Sequence, residues 1–169
     1  MFRRTRTGAG VCVALIVVLA GCATAPGPRG PEGQVTARAT VDTYSLRVGD
    51  CTGPIPAGSA DRFTLIPCGD KHNWEAFARM TLNDDAYPGA KTVSERAGAF
   101  CEDAFAAFVG VKRSKSAYEL TSLQPTQATW DNFGDREILC LAGRSTGTVT
   151  GSLEGIESPA PSPSATPTK

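Results

Sequence analysis

Histidine is nearly absent from this chain of 169 residues, in which His72 is the only one. The sequence contains no glycine-rich phosphate loop after a strand. It also lacks a Cys-x-x-Cys pair, a spacing typical of structural zinc sites. These absences argue against a nucleotide-dependent enzyme and a zinc protein, and a lone histidine is more often a structural residue than a catalytic one. We therefore expect no enzymatic activity, no cofactor and no bound metal.

A long hydrophobic run is missing as well, because the longest one, residues 11–20, is shorter than the roughly 20 residues that a membrane-spanning helix needs. A basic segment with Arg3, Arg4 and Arg6 precedes this run, and small residues follow it. This order is typical of a secretory signal peptide, which we predict over residues 1–21. The alternative is an N-terminal anchor helix, which the short run and the following Pro/Gly-rich segment disfavour.

The end of the predicted signal, Leu19-Ala20-Gly21-Cys22, resembles the bacterial lipobox. This resemblance implies that a diacylglyceryl group is attached to the thiol of Cys22 and that the signal is cleaved in front of it. Several acyl chains on one residue hold a protein stably to a bilayer, whereas one chain binds marginally. We therefore expect a lipoprotein at the extracytoplasmic face of the cell membrane, with the membrane as its first partner.

The charge of the predicted mature chain is mildly acidic. The whole chain carries 17 basic and 17 acidic residues, and cleavage removes three arginines and no acidic residue. Its longest basic cluster is Lys112-Arg113-Ser114-Lys115, which is typical of a solvated loop. We expect no nucleic-acid partner.

Composition divides the mature chain into three parts. Residues 22–41 are rich in Pro, Gly, Ala and Thr and are predicted to be a flexible tether. Residues 42–146 have the size and apolar content of one domain. Residues 147–169 are predicted to be a disordered Ser/Pro/Thr-rich tail, with a glycosylated or wall-threading stalk as the alternative.

Periodicity within the central part predicts an α+β fold, with one main helix packed on a small, mostly antiparallel sheet. Apolar residues recur at helical spacing over residues 93–109, with Ser94 as the expected N-cap and Gly110 as the stop. In one predicted strand, alternation places Trp74, Ala76, Ala78 and Met80 on the same face. The predicted strands cover residues 63–66, 74–82, 118–123 and 137–142.

Six cysteines are present, of which Cys12 belongs to the predicted signal and Cys22 to the lipid anchor. An even number of remaining cysteines in an exported domain predicts disulfides. Spacing alone leaves three pairings open. We favour the pairing that joins a loop to a strand end and the helix to the last strand, Cys51–Cys68 and Cys101–Cys140. The alternative is a metal site of Cys51, Cys68 and His72, which export to an oxidising compartment disfavours.

Two residues stand out as candidate binding residues, His72 and Trp130. His72 would be the general base of an enzyme, oriented by Asp70 or Glu75, whereas a hydrogen-bonded structural histidine is the plainer interpretation. Trp130 would either cover the Cys101–Cys140 disulfide or form an exposed docking anchor. We favour the structural role, and expect an ion pair between Asp135 and Arg136 beside a tight turn at Gly134.

An ordered set of short motifs spans residues 48–141 of the chain. It comprises Gly49-Asp50-Cys51, Ile66-Pro67-Cys68 with His72 and Glu75, Tyr87-Pro88-Gly89, Cys101, Phe108-Val109-Gly110, Trp130, Gly134-Asp135-Arg136 and Cys140. This set is similar to the septum-formation domain of actinobacterial membrane proteins and lipoproteins. The resemblance implies an extracytoplasmic α+β domain with two disulfides and a link to cell division. Lys71 and Phe108 depart from the proline and tyrosine that family members often carry.

These observations lead to three hypotheses of different classes. The first is a membrane-anchored binding or scaffold module that contacts an unidentified division or cell-envelope protein. The second is a cell-wall-acting enzyme, or an enzyme regulator, that uses His72. The third is a structural envelope lipoprotein without a discrete partner.

Overall fold

The computed structural model describes residues 27–55 and 61–157 of the chain. The predicted signal peptide, Cys22 and the tail from residue 158 onwards lie outside the described residues. Neither helix of the described part has both the length and the apolar character needed to cross a bilayer.

The described residues form one six-stranded sheet with two helices, in the strand order β1-β3-β2-β4-β6-β5. Each pair of neighbouring strands is antiparallel. The predicted α+β fold is therefore confirmed, with a second helix that the sequence pattern did not indicate. The elements are β1 Ala39–Asp42, β2 Cys51–Thr52, β3 Arg62–Ile66, β4 Trp74–Thr81, α1 Ala90–Val109, β5 Glu119–Leu123, α2 Gln127–Phe133 and β6 Glu137–Gly143.

Strand β4 carries an irregularity that changes which face its side chains occupy. Its register against β6 shifts between Ala76 and Ala78. Trp74 and Ala76 pack in one hydrophobic cluster, whereas Ala78 and Met80 pack against the other. A bulge inserts one residue and so reverses the alternation, which is why the predicted common face of these four side chains is wrong.

Helix α1 packs its apolar face on one side of the sheet. Its buried residues are Val93, Ala97, Cys101, Phe105 and Val109, and the other apolar residues of the predicted face, Phe100, Ala104 and Phe108, are partly buried against the same cluster. The helix begins at Ala90, one turn before the predicted start, and Ser94 does not cap it. Gly89, at φ 91°, turns the chain into the helix, and the exposed first turn has no apolar signal to predict it.

The predicted tether is wrong for residues 27–41, because this segment belongs to the folded part. Val35 is buried in the second hydrophobic cluster, and residues 39–42 form β1 against β3. Arg29 forms a two-pronged ion pair with the buried Asp50, at 2.6 Å and 2.8 Å. This hydrogen bonding raises the pKa of Arg29 above its usual value. Two buried valines, Val35 and Val41, one ion pair and the pairing of β1 hold the segment, a signal too sparse to emerge from its composition.

The predicted boundary of the tail is also too early. Val149 pairs with His72 through two backbone hydrogen bonds, and Leu153 is buried in the cluster under α1. Gly155 N and Glu157 N donate to carbonyl groups at the end of α1. The segment from residue 147 to residue 157 is therefore ordered by backbone pairing and by two apolar anchors in an otherwise polar stretch.

Candidate functional site

The two disulfides join the favoured pairs, Cys51–Cys68 and Cys101–Cys140, and this prediction is confirmed. Cys101 and Cys140 are buried in the cluster between α1 and the sheet. Cys51 is also fully buried at the start of β2, but Cys68 is partly exposed in the turn after β3. The disulfides therefore differ, since one lies within the core and the other reaches the surface.

A buried polar cluster lies beside the Cys51–Cys68 disulfide. The sulfur of Cys51, one ring nitrogen of His72 and one carboxylate oxygen of Glu75 all lie within 4.8 Å of one another. His72 is fully buried, and Glu75 is 4% exposed. The pairing of β2 with β4 places Cys51 opposite Glu75, and the bridge to Val149 fixes the backbone of His72. We call this set the Cys51–His72–Glu75 cluster.

The hydrogen bonds of this cluster leave one group unsatisfied. His72 Nδ1 lies 2.9 Å from the carbonyl oxygen of Asp70, and because a carbonyl oxygen only accepts, Nδ1 is the donor of this hydrogen bond. Nε2 is buried and has no hydrogen-bond partner within the described ranges. Glu75 accepts hydrogen bonds from Ser152 Oγ at 2.8 Å and from Leu153 N at 2.7 Å. It forms no ion pair within the described residues.

The position of His72 does not allow it to bind a partner at the surface or to act as a general base on an external substrate. Its side chain is fully buried, so a polymer could not reach it in this conformation. The expected orienting carboxylate is also wrong in detail, because the backbone carbonyl of Asp70 holds the ring. The plainer interpretation, a hydrogen-bonded buried histidine, describes Nδ1 but leaves Nε2 without an explanation.

Trp130 is a core residue, and the exposed-anchor alternative is wrong. It is 3% exposed and belongs to the same hydrophobic cluster as Cys101 and Cys140. The guanidinium of Arg136 lies over its ring at 3.6 Å from the centroid, and Tyr87 contacts it edge-on at 5.7 Å. These contacts fix α2 on the sheet.

The expected ion pair between Asp135 and Arg136 is not formed. Arg136 Nη1 donates to the carbonyl oxygens of Trp130 and Asp135, both at 3.0 Å. The carboxylate of Asp135 instead accepts from the backbone N–H of Glu137. The stacking position over Trp130 draws the guanidinium away from the carboxylate. The tight turn at Gly134 is confirmed by its left-handed backbone, with φ at 66°.

Two exposed aromatic side chains form a surface that the sequence patterns did not single out. Tyr44 is 54% exposed and Phe133 is 70% exposed, and their ring centroids lie 6.0 Å apart. Tyr44 lies in the 3-10 turn Thr43–Ser45 after β1, and Phe133 is the last residue of α2. These positions are 89 residues apart in the sequence, so only the fold brings the two rings together. We call this pair the Tyr44–Phe133 surface.

The Tyr44–Phe133 surface borders a groove of about 460 Å³. The groove is lined by charged as well as aromatic side chains: Tyr44, Arg79, Phe133, Asp135, Arg136 and Glu137. Arg79 is bridged to Glu137 at 3.2 Å, and the carboxylates nearest to Tyr44 make its surroundings negative. Burial raises the pKa of Tyr44 above its ordinary value of 10.0, and three carboxylates raise it further: Asp135, Asp61 and Asp42.

Helix α2 positions Phe133 through a local signal that is easily missed. Thr126 Oγ1 accepts from Thr129 N at 3.1 Å, and Thr126 N donates to Thr129 Oγ1 at 2.8 Å. This is a capping box with threonine in place of the usual Glu or Gln. Gly134 then ends the helix immediately after Phe133, which leaves the ring outside the core.

Comparison with protein families matches residues 25–140 to the family described as septum formation. Comparisons with curated proteins and with solved structures find no match. The matched range contains both disulfides, the Cys51–His72–Glu75 cluster, the Tyr44–Phe133 surface and the folded residues before β1. Because the match covers more than half of the chain, the resemblance seen in the spaced motifs is confirmed, and this chain belongs to the septum formation family.

Proposed function

We propose that this chain is a membrane-anchored binding module that works outside the cytoplasm and docks a division or cell-envelope protein on the Tyr44–Phe133 surface. The lipobox-like sequence supports attachment through lipid on Cys22. The two disulfides support an oxidising compartment. Family membership supports a role in septum formation.

One observation carries the docking part of this proposal. Tyr44 and Phe133 are each more than half exposed, and their rings lie side by side. Aromatic residues dominate the energetics of protein interfaces because they bury a large area at a small entropic cost. Val48 and Ile156 are similarly exposed, but both are aliphatic side chains without a ring.

The electrostatics of the surface indicate the chemistry of the partner. The carboxylates around Tyr44 favour a positively charged group, and the aromatic rings offer their faces to a cation. The partner segment would therefore carry an aliphatic side chain for the rings and a Lys or Arg for the acidic rim. The rival role for His72, as the base of a wall-acting enzyme, gains no support from a fully buried side chain.

The test is photocrosslinking in living cells from a reactive amino acid at position 133, followed by mass spectrometry of the captured species. We expect one or two division or envelope proteins, crosslinked through a segment that contains Lys or Arg. The matched control carries the same amino acid at position 156, another exposed apolar position, which lies beside the end of α1. Identical products from the two positions, or only lipid and glycan from position 133, would contradict the proposal.

A further inference from the structure

The Cys51–His72–Glu75 cluster combines three features that its role in packing does not require. It brings together a sulfur, a ring nitrogen and a carboxylate oxygen within 4.8 Å. Its histidine Nε2 is buried and unpartnered in the described part of the chain. Its glutamate is buried, and no cationic side chain among the described residues forms an ion pair with it. A buried polar atom without a partner requires an explanation, such as an ion.

We propose that reduction of the Cys51–Cys68 disulfide converts this cluster into a binding site for one zinc-type divalent cation. The ligands are the thiolates of Cys51 and Cys68, Nε2 of His72 and the carboxylate of Glu75. This donor set of sulfur, nitrogen and oxygen suits Zn²⁺, which takes four such ligands in a tetrahedral arrangement. The proposal concerns a site in the interior and is independent of docking on the Tyr44–Phe133 surface.

The distances allow three of the four ligands, Cys51, His72 and Glu75, to close around a cation with small movements. Zn²⁺ binds sulfur at about 2.3 Å and nitrogen or oxygen at about 2.0–2.2 Å, which separates neighbouring ligand atoms by roughly 3.5 Å. The distances between these ligand atoms, which are at most 4.8 Å, therefore need to shorten by about 1 Å. Cys68 is not one of the three residues within this limit, but its bond to Cys51 holds it next to them, and after reduction its side chain would turn towards the cation.

The surroundings of the cluster already resemble the outer shell of a metal site. Metal-bound histidines usually donate their other ring N–H to a carbonyl or carboxylate, which fixes the ring and its tautomer. His72 Nδ1 donates to the carbonyl of Asp70 at 2.9 Å, and this leaves Nε2 as the ring nitrogen available to the cation. Glu75 is held by Ser152 and Leu153, and each carboxylate oxygen keeps a second lone pair.

Conversion of the Cys51–Cys68 disulfide into the metal site requires a dithiol as reductant. One of its thiolates attacks the sulfur of Cys68, which is partly exposed, and the S–S bond breaks to release Cys51 as a thiolate. The second thiol of the reductant resolves the mixed disulfide, so the dithiol becomes a disulfide and the chain gains two electrons and two protons. Binding of the cation then displaces both protons to solvent. The disulfide and the metal site are therefore mutually exclusive states.

The experiment uses the full chain, purified in detergent, with Co²⁺ as a spectroscopic probe and Zn²⁺ as the competitor. We expect no cobalt–thiolate absorption from the oxidised chain. After reduction by a phosphine, we expect one tetrahedral Co²⁺ per chain, displaced by Zn²⁺. Because two protons leave, the apparent affinity should rise by about 100-fold per pH unit below the thiol pKa of about 8.5.

Variants assign the site to these four residues. Cys51→Ser/Cys68→Ser should abolish the cobalt spectrum although the thiols of Cys101 and Cys140 remain available after reduction. His72→Gln should weaken binding by about tenfold or more, and Glu75→Gln provides a second single-ligand test where the first variant folds poorly. Circular dichroism of each variant reports whether the fold is kept.

Three results would overturn the proposal. The first is a reduced chain that stays folded and binds no Co²⁺. The second is a cobalt spectrum that survives Cys51→Ser/Cys68→Ser, or that neither His72→Gln nor Glu75→Gln changes. The third is a reduced chain that unfolds and is not refolded by Co²⁺ or Zn²⁺.

Discussion

The Cys51–His72–Glu75 cluster and the Tyr44–Phe133 surface differ in both burial and chemical character. The cluster is buried and chemically distinctive, whereas the surface consists of two ordinary aromatic residues exposed by 54% and 70%. In this conformation a macromolecular partner can touch only the second. Residues that stand out in the sequence therefore support the fold, and residues that do not stand out are the ones available to a partner.

Substitution of Trp130 should have the largest effect on stability. Trp130→Ala should lower the free energy of unfolding by about 3–5 kcal/mol, because it empties a core position and removes the stacking of Arg136. Urea denaturation of the purified chain measures the change. A variant of unchanged stability that has lost its partner would mean that Trp130 is the docking residue after all.

The two disulfides should stabilise the chain to different extents. They close loops with sequence separations of 39 and 17 residues. Loop entropy then predicts that Cys101→Ser/Cys140→Ser costs about 4 kcal/mol and Cys51→Ser/Cys68→Ser about 3 kcal/mol. Denaturation of both double variants in a metal-free buffer checks the order, and a larger loss from the shorter loop would contradict this prediction.

His72 should contribute to stability without contributing to docking. His72→Ala should lower the free energy of unfolding by about 1–3 kcal/mol, because it leaves the carbonyl of Asp70 without its donor and opens a cavity. Lys71→Ala, at the exposed neighbouring position, should change it by less than about 0.5 kcal/mol. Equal losses in the two variants would show that the buried ring is not a structural support.

The charge around Tyr44 should be visible in its titration. The pKa of Tyr44 is raised by burial and then by carboxylates, of which Asp135 acts most strongly. Asp135→Asn should move this pKa down towards 10.0. Because the folded pKa lies above the unfolded one, the contribution of Tyr44 to stability is present below about pH 10 and is lost as the pH rises through the folded value. Tyrosine-labelled NMR measures the midpoint, and an unchanged value would remove the case for a cationic partner.

The parts of the fold that sequence reasoning reached are those with a strong local signal. The apolar stripe of α1 and the cysteine count in a chain with a predicted secretory signal led to the main helix and to the favoured disulfide pairs. Strands β3 to β6 were recognised with small errors at their ends. The bulge in β4 was missed because no residue in the run around Phe77 signals it.

The parts that were missed depend on sparse or distant contacts. The segment before β1 is held by Val35 and by the ion pair of Arg29 with Asp50, against a composition typical of a linker. Helix α2 begins with an unusual threonine capping box. The Tyr44–Phe133 contact joins a 3-10 turn to the end of a helix 89 residues away, so no local pattern could have predicted it.

The most direct test of the account compares capture of the partner by two folded surface variants. Tyr44→Ser/Phe133→Ser removes the proposed docking surface, and Ile156→Ser removes an exposed apolar residue elsewhere. We expect both variants to keep their stability within about 0.5 kcal/mol for each substitution. The first should lose the division or envelope protein that the wild-type chain recovers from cells, and the second should retain it. Equal recovery by both variants would contradict docking on the Tyr44–Phe133 surface.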